Sequence, residues 1–208
     1  MSGISATAVK ELREISGAGM MDCKKALSEA SGNLDKAMDI LRKSGIAKAQ
    51  KKSGRSTKEG MIYSYIHPGS KLGVLIEINC ETDFVAKTND FTNLSKDLAM
   101  HIAASAPISV IREDISLDVL ERERDIYTEQ ARQSGKPDNI IDKMIEGRIN
   151  KFYQENVLLE QAFVKDPDKT VHDIITDTIA KLGENIVVSR FVRFQLGEQT
   201  NNSSPVDN

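Results

Sequence analysis

Glycines at positions 17, 32 and 45 interrupt the first part of the chain and limit it to three short helices. The segments between them carry apolar residues with helical spacing along one face. The first is predicted to run from about residue 5 to residue 15, the second to begin at Asp22 as its N-cap, and the third to begin at Asn33. Together they predict a compact three-helix module over residues 1–45. Its inward-facing residues are predicted to be Val9, Leu12, Ile15, Cys23, Ala26, Leu27, Ala30, Leu34, Ala37, Met38 and Leu41.

The stretch from residue 42 to residue 58 contains seven basic residues and no acidic one. Ser53, Gly54 and Ser56 add backbone flexibility, so residues 46–58 are interpreted as a basic linker. Such a run of charge is usually a solvated segment. An electrostatic contact with an acidic partner or with ribosomal RNA is the alternative, and the sequence does not separate the two.

From residue 59 onward, strand and helix patterns are mixed. Two strands joined by a Pro68-Gly69-Ser70 turn form a predicted hairpin, and a third strand follows the last helix. The predicted fold class is therefore α+β: a core domain over residues 59–197 is expected to have a small antiparallel three-stranded sheet and flanking helices, and the polar tail 198–208 is expected to be disordered. The predicted strands cover residues 61–67, 72–79 and 185–196, and the predicted helices cover residues 89–106, 116–134, 138–154 and 170–182.

The sequence has no motif for catalysis or metal binding. The three histidines, His67, His101 and His172, are far apart, and none has a metal-ligand spacing nearby. A P-loop, a paired CxxC, an HExxH zinc motif and a Gly-x-Ser-x-Gly elbow are all missing. Acidic residues are spread along amphipathic helices, where they are typical of a solvated face. The sequence thus favours a binding protein over an enzyme and predicts no cofactor, metal or small-molecule substrate.

Composition and the start of the chain bear on its location and partners. No apolar run approaches the roughly 18 residues that span a bilayer. The residues after Met1 form neither a basic nor an apolar leader, so we expect a cytoplasmic protein with two reduced thiols, Cys23 and Cys80. The net charge of −3 and the 5% aromatic content argue against nucleic acid as the main partner.

The turn between the first two predicted helices carries two adjacent methionines, Met20 and Met21. The ordinary interpretation is a helix-turn-helix corner in which glycines allow the turn and Asp22 caps the next helix. Methionines at such a turn would also make an adaptable apolar contact surface. Residue chemistry supports core packing and partner contact equally.

A second unusual segment, residues 77–87, lies at the exit of the predicted second strand. In one interpretation Thr82 caps a short helix, Asp83 complements the helix dipole and Phe84 staples the helix to the core. In the other, Asp83 and Phe84 lie at the tip of a rigid corner and wedge into another protein. Spacing alone does not choose between them.

Both segments resemble the signatures of the bacterial elongation factor Ts family. Residues 17–27 read Gly-Ala-Gly-Met-Met-Asp-Cys-Lys-Lys-Ala-Leu, and residues 77–87 read Glu-Ile-Asn-Cys-Glu-Thr-Asp-Phe-Val-Ala-Lys. The resemblance extends over about residues 5 to 197, in family order, which is too much for chance. Further family-like stretches are residues 99–104, 134–137, 144–148 and 183–186.

The resemblance implies a partner, elongation factor Tu, and a function, the release of its bound GDP so that GTP can enter. The family's Thr-Asp-Phe-Val motif falls on Thr82 to Val85, so Asp83 and Phe84 are expected to enter the GTPase and disturb its Mg²⁺ and phosphate site. His101 matches a histidine that helps to form this contact. The docking surface of the N-terminal module, which is UBA-like, is matched by Met20, Met21, Cys23 and Lys24.

The resemblance also bears on assembly. Longer members carry two copies of the core subdomain and a coiled-coil insertion, whereas this chain has one complete core unit. It therefore resembles the short type, which implies a homodimer. The apolar residues of the final strand are either interface material or internal sheet core. The rival hypothesis is a protein- or RNA-binding module that acts through the three-helix domain and the basic linker.

Overall fold

A computed structural model describes residues 4–133 and 137–198 of the chain. Three helices come first, and a mixed arrangement of helices and antiparallel strands follows, so the α+β prediction is confirmed. The helices are α1 Ala6–Ser16, α2 Met20–Glu29, α3 Leu34–Gln50, α4 Asp83–Ala86, α5 Asn89–Ser105, α6 Leu117–Arg132, α7 Asp138–Asn156 and α8 Val171–Leu182. The strands are β1 Glu59–Ile66, β2 Leu72–Cys80, β3 Ala162–Phe163, β4 Asp166–Thr170 and β5 Ile186–Gln195.

The N-terminal module consists of α1, α2 and α3 around a small core of Leu12, Cys23, Leu27 and Ala37, all fully buried. The predicted cap of α3 is confirmed, because the side chain of Asn33 accepts a hydrogen bond from the backbone of the first turn. Two expectations about this module are wrong. Asp22 lies inside the first turn of α2, which begins at Met20 after Gly19, and Ile15 is 63% exposed instead of facing inward.

Helix α3 continues past its predicted end at Gly45 to Gln50. It does so because this segment packs against α8, and Gly45 lies where an added Cβ would be 3.4 Å from the Cβ of Ala180. The buried Ala49 belongs to the core of the second domain. The predicted linker therefore begins as helix, and the chain turns through residues 51–55 before it enters β1.

Strands β1, β2 and β5 form an antiparallel sheet in the order β1-β2-β5. One face packs against α5 and buries a row of side chains from Val74, Ile76 and Ile78 against Phe91 and Leu98. Helix α8 packs against α5 at the edge of this core. The opposite face of the sheet has no helix over it among the described residues.

Two features flank the core. Helices α6 and α7 pack against each other as a helical hairpin, with its own small cluster of Ala131, Ile141, Ile145 and Ile149. The short hairpin of β3 and β4 was not predicted, because two strands of two and five residues give no alternating pattern. The predicted end of α6 at Ser134 and its glycine stop at position 135 lie outside the described residues.

Candidate partner-binding site

The corner between β2 and α5 is formed by the four-residue helix α4. Thr82 caps this helix as predicted, since its hydroxyl accepts a hydrogen bond from the backbone N–H of Val85 at 3.4 Å. At the other end Ala86 is buried against the main core. The helix is therefore fixed at both ends, while its middle faces outward.

Phe84 projects from the middle of α4 and is 79% exposed. The interpretation in which Phe84 staples the helix to the core is therefore wrong. Beside it, the carboxylate of Asp83 accepts a hydrogen bond from Lys87 Nζ at 2.6 Å. This hydrogen bond holds the pKa of the Asp83 carboxyl below its usual range, so the group is ionised at neutral pH. The corner presents an aromatic ring next to a fixed negative charge, and Val85 is half-buried behind them.

His101 lies on α5 and is fully buried, so the expectation that it contacts a partner directly is not supported by its position. Its Nδ1 accepts a hydrogen bond from the backbone N–H of Val164, which leaves the proton on Nε2 to donate to Gln161 Oε1 at 2.8 Å. Burial lowers the pKa of His101, against the opposing effect of the hydrogen bond with Gln161. A neutral imidazole therefore joins α5 to the β3–β4 hairpin.

The expected docking residues of the N-terminal module fall into two groups. Met20 and Met21 are 49% and 74% exposed, and Lys24 is exposed beside them, so the core-packing interpretation of the methionines is wrong. Cys23 is fully buried and cannot contact a partner through its side chain. Successive residues of a helix are about 100° apart around its axis, so Cys23 packs into the core of the module while Lys24 faces outward. Sequence reasoning missed Ile15, which adds an exposed apolar side chain on the other side of the α1–α2 turn.

Besides the Phe84 corner and the N-terminal methionines, the protein exposes apolar side chains on the face of the sheet that no described helix covers, which we call the open sheet face. The register places Leu75 opposite Val192, and Ile66 and Phe194 on either side of Gly73. The ion pair between Glu77 and Arg190 crosses the same sheet. The exposed apolar residues of this face are Ile62, Ile66, Leu75, Val187, Val192 and Phe194, with Leu196 beyond the end of β5.

Within residues 4–133 and 137–198, no group of three or more His, Cys, Asp or Glu side chains is placed to hold a metal ion. No helix in the described part of the chain is long and apolar enough to cross a bilayer.

These observations define a class of protein: a three-helix module fused to an α+β core, with isolated apolar side chains projecting from fixed positions. The family model described as "Elongation factor TS" matches residues 4–198. The Elongation factor Ts of Thermoanaerobacter sp. (strain X514) is 59% identical over 201 residues, which cover 97% of this chain and 98% of that protein. The chain belongs to the elongation factor Ts family, a family of translation elongation factors.

Other relatives agree in identity and in length. The Elongation factor Ts of Fervidobacterium nodosum is 60% identical over 195 residues, covering 94% of this chain and 99% of that protein. That of Geobacter sulfurreducens is 58% identical over 195 residues, covering 94% and 90%. The chain therefore has nearly the full length of these relatives.

Proposed function

We propose that this chain is a guanine-nucleotide exchange factor for elongation factor Tu, and that it acts by binding without catalysing a chemical step. Family membership supports the partner, and the exposed ring of Phe84 supports the mode of action. The ring is 79% exposed on a corner that is fixed at both ends, so a partner can bury it without rearranging the core. A partner that buries this ring accounts for its exposure.

In the proposed mechanism, Phe84 enters the GTPase and Asp83 lies beside it. Mg²⁺ and backbone amides neutralise the phosphate charge of a bound nucleotide, so small displacements of either greatly weaken its binding. The Mg²⁺ and the nucleotide belong to the GTPase. By thermodynamic linkage, the nucleotide and the exchange factor weaken each other's binding, which lets GTP complete the cycle. The reaction belongs to translation elongation in the cytoplasm.

The test of this function is the release of fluorescent GDP from elongation factor Tu with and without the chain. Acceleration by catalytic amounts of the chain is the expected result. The rival hypothesis predicts salt-sensitive RNA binding with unchanged GDP release. That rival draws less support from the basic segment, because Lys48 and Arg55 form ion pairs within the protein, with Asp22 and Glu81 respectively.

We further propose that Met20, Met21 and Lys24 form the docking surface of the N-terminal module. Met21→Ala is expected to raise the Kd for elongation factor Tu by about three- to tenfold, because a flexible apolar side chain loses the contact area that it buries on binding. Isothermal titration calorimetry against nucleotide-free GTPase would measure the change. Ile126→Ala, which removes an exposed apolar side chain from α6, serves as the matched control. Equal affinities for Met21→Ala and the wild type would exclude this docking surface.

The open sheet face supports a homodimer. Its exposed apolar side chains lie on a pleated surface of the kind that packs against a second sheet, and an identical copy offers a self-complementary face. The Glu77–Arg190 pair adds one charge of each sign to this face, so two identical chains that meet through it would not repel each other strongly. A second copy of this chain is therefore the proposed occupant.

Phe194→Asp is expected to raise the dimer dissociation constant by about tenfold or more, because a buried interface would have to desolvate the new carboxylate. Sedimentation velocity over a concentration series would measure it. Val164→Asp is the matched control, since Val164 is an exposed valine on the β3–β4 hairpin. A wild-type chain that stays monomeric, or a Phe194→Asp chain that dimerises as the wild type does, would contradict the proposed interface.

A further inference from the structure

The backbone at the Phe84 corner is held by a carboxylate that is distant in sequence. Glu184 follows α8, and its Oε2 accepts hydrogen bonds from the backbone N–H groups of Glu81 at 3.1 Å and Thr82 at 3.0 Å. Its Oε1 accepts a third from the Thr82 hydroxyl at 2.7 Å. One side chain thus satisfies three donors at the point where β2 turns into α4.

The hydrogen bonds are reciprocated. The Oε1 atom of Glu81 accepts a hydrogen bond from the backbone N–H of Asn185 at 2.7 Å and pairs with Arg55. The side chain of Asn185, which is 3% exposed, donates to the carbonyl oxygens of Ser53 and Arg55 in the turn that follows α3. Three segments therefore meet behind the corner: the turn after α3, the end of β2 and the α8–β5 junction. We name this hydrogen-bonded set the clasp: Ser53, Arg55, Glu81, Thr82, Glu184 and Asn185.

The corner needs such support because α4 has only four residues. A single helical turn is unstable by itself, since forming it fixes several backbone torsions for one hydrogen bond. The exposed Phe84 ring contributes little packing of its own. The direction in which the ring projects therefore depends on the backbone of residues 81–83, which the clasp holds.

We propose that Glu184 is a positioning residue for Phe84: it fixes the corner before the partner is met, so that less conformational entropy is lost when the ring is buried. This inference rests on the proposed exchange function. It assigns to this carboxylate a role that passes through the backbone of the corner. It also joins the corner to the N-terminal module through Asn185, so the two proposed contact surfaces are held in a fixed relation.

The test uses the full chain with two substitutions and a control. Glu184→Ala removes all three hydrogen bonds, whereas Glu184→Gln keeps an acceptor for the backbone N–H groups and is expected to retain part of the effect. Glu160→Ala is the matched control, because Glu160 is also a partly buried carboxylate, paired with Arg112 far from the corner in sequence. Amide hydrogen exchange reports the order of residues 81–85 without any partner. GDP release as a function of chain concentration reports the function.

For Glu184→Ala, the protection of the Thr82 and Val85 amides against hydrogen exchange should fall about tenfold. The chain concentration that gives half-maximal GDP release should rise about three- to tenfold, because one or two more side chains must then be ordered on binding. Glu184→Gln should lie between this variant and the wild type, and Glu160→Ala should match the wild type. In a Phe84→Ala background, Glu184→Ala should cause no further loss, because its effect passes through the ring.

Three results would overturn the inference. Protection at the corner unchanged by Glu184→Ala would mean that the clasp does not hold it. Lost protection with unchanged GDP release would mean that order at the corner is irrelevant. An equal loss with and without Phe84 would indicate a general effect on the fold. Failure of the exchange function itself is distinguishable, because the wild type would then not accelerate release while the amide protection would still show whether Glu184 orders the corner.

Discussion

Phe84→Ala is expected to slow GDP release from elongation factor Tu by about 30-fold, which corresponds to the loss of roughly 2 kcal/mol at a central aromatic residue of an interface. The side chain is 79% exposed, so its removal leaves no cavity and the chain should fold as before. Stopped-flow measurement of fluorescent GDP release gives the rate, and circular dichroism with thermal melting checks the fold.

Leu117→Ala is the control for this prediction, because Leu117 is 74% exposed at the start of α6 and should have no effect on release. Asp83→Ala should slow exchange less than Phe84→Ala, since it removes the fixed charge and its ion pair with Lys87 but keeps the ring. A folded Phe84→Ala chain that exchanges nucleotide at the wild-type rate would exclude the wedge mechanism. A Phe84→Ala chain that unfolds would contradict the exposed position of the ring.

Gly60→Ala is expected to lower the free energy of unfolding by about 3 kcal/mol. Gly60 lies in β1 opposite Asn79 with a φ of 147°, a conformation that other L-residues rarely adopt. A Cβ at this position would lie 2.1 Å from the carbonyl oxygen of Ile78. Either β1 moves away from β2 or the hydrogen bonds between these strands distort. The free-energy cost of the substitution therefore includes backbone strain as well as steric overlap. Urea unfolding followed by circular dichroism would measure it.

Gly147→Ala is the matched control for this substitution. Gly147 lies within α7, exposed, with no atom close to the position of an added Cβ. Alanine there should stabilise the helix by roughly 0.5–1 kcal/mol. Opposite signs for the two substitutions would support the geometry of β1, and a Gly60→Ala chain as stable as the wild type would contradict it.

The features predicted correctly from sequence depend on groups a few residues apart. Asn33 and Thr82 cap α3 and α4, and each accepts a hydrogen bond from a backbone N–H three residues ahead. The Pro68-Gly69-Ser70 turn joins β1 to β2 as expected, and Gly69 and Ser70 both adopt positive φ. Amphipathic spacing located the long helices for the same local reason.

Where the structure departs from what the sequence led us to expect, the cause is packing between distant segments. Gly45 was expected to end α3, but packing against α8 keeps it helical. Family resemblance marked Cys23 and His101 as contact residues, and both are fully buried. Neither residue type indicates by itself whether the side chain is exposed or buried, because cysteine and histidine occur both on surfaces and in cores. Only their neighbours in the fold decide which applies.

The sequence by itself determined the order of the main helices and of the three sheet strands, the caps of α3 and α4, the α+β class and, through its two signature segments, the family. Backbone hydrogen bonding and side-chain spacing within one element are enough for these. The tertiary structure alone decided that Phe84 projects while Cys23 is enclosed, and that Glu184 reaches Thr82 across about a hundred residues of chain. Exposure and long-range hydrogen bonds depend on which segments meet in space, and no pattern within a single helix or strand records that.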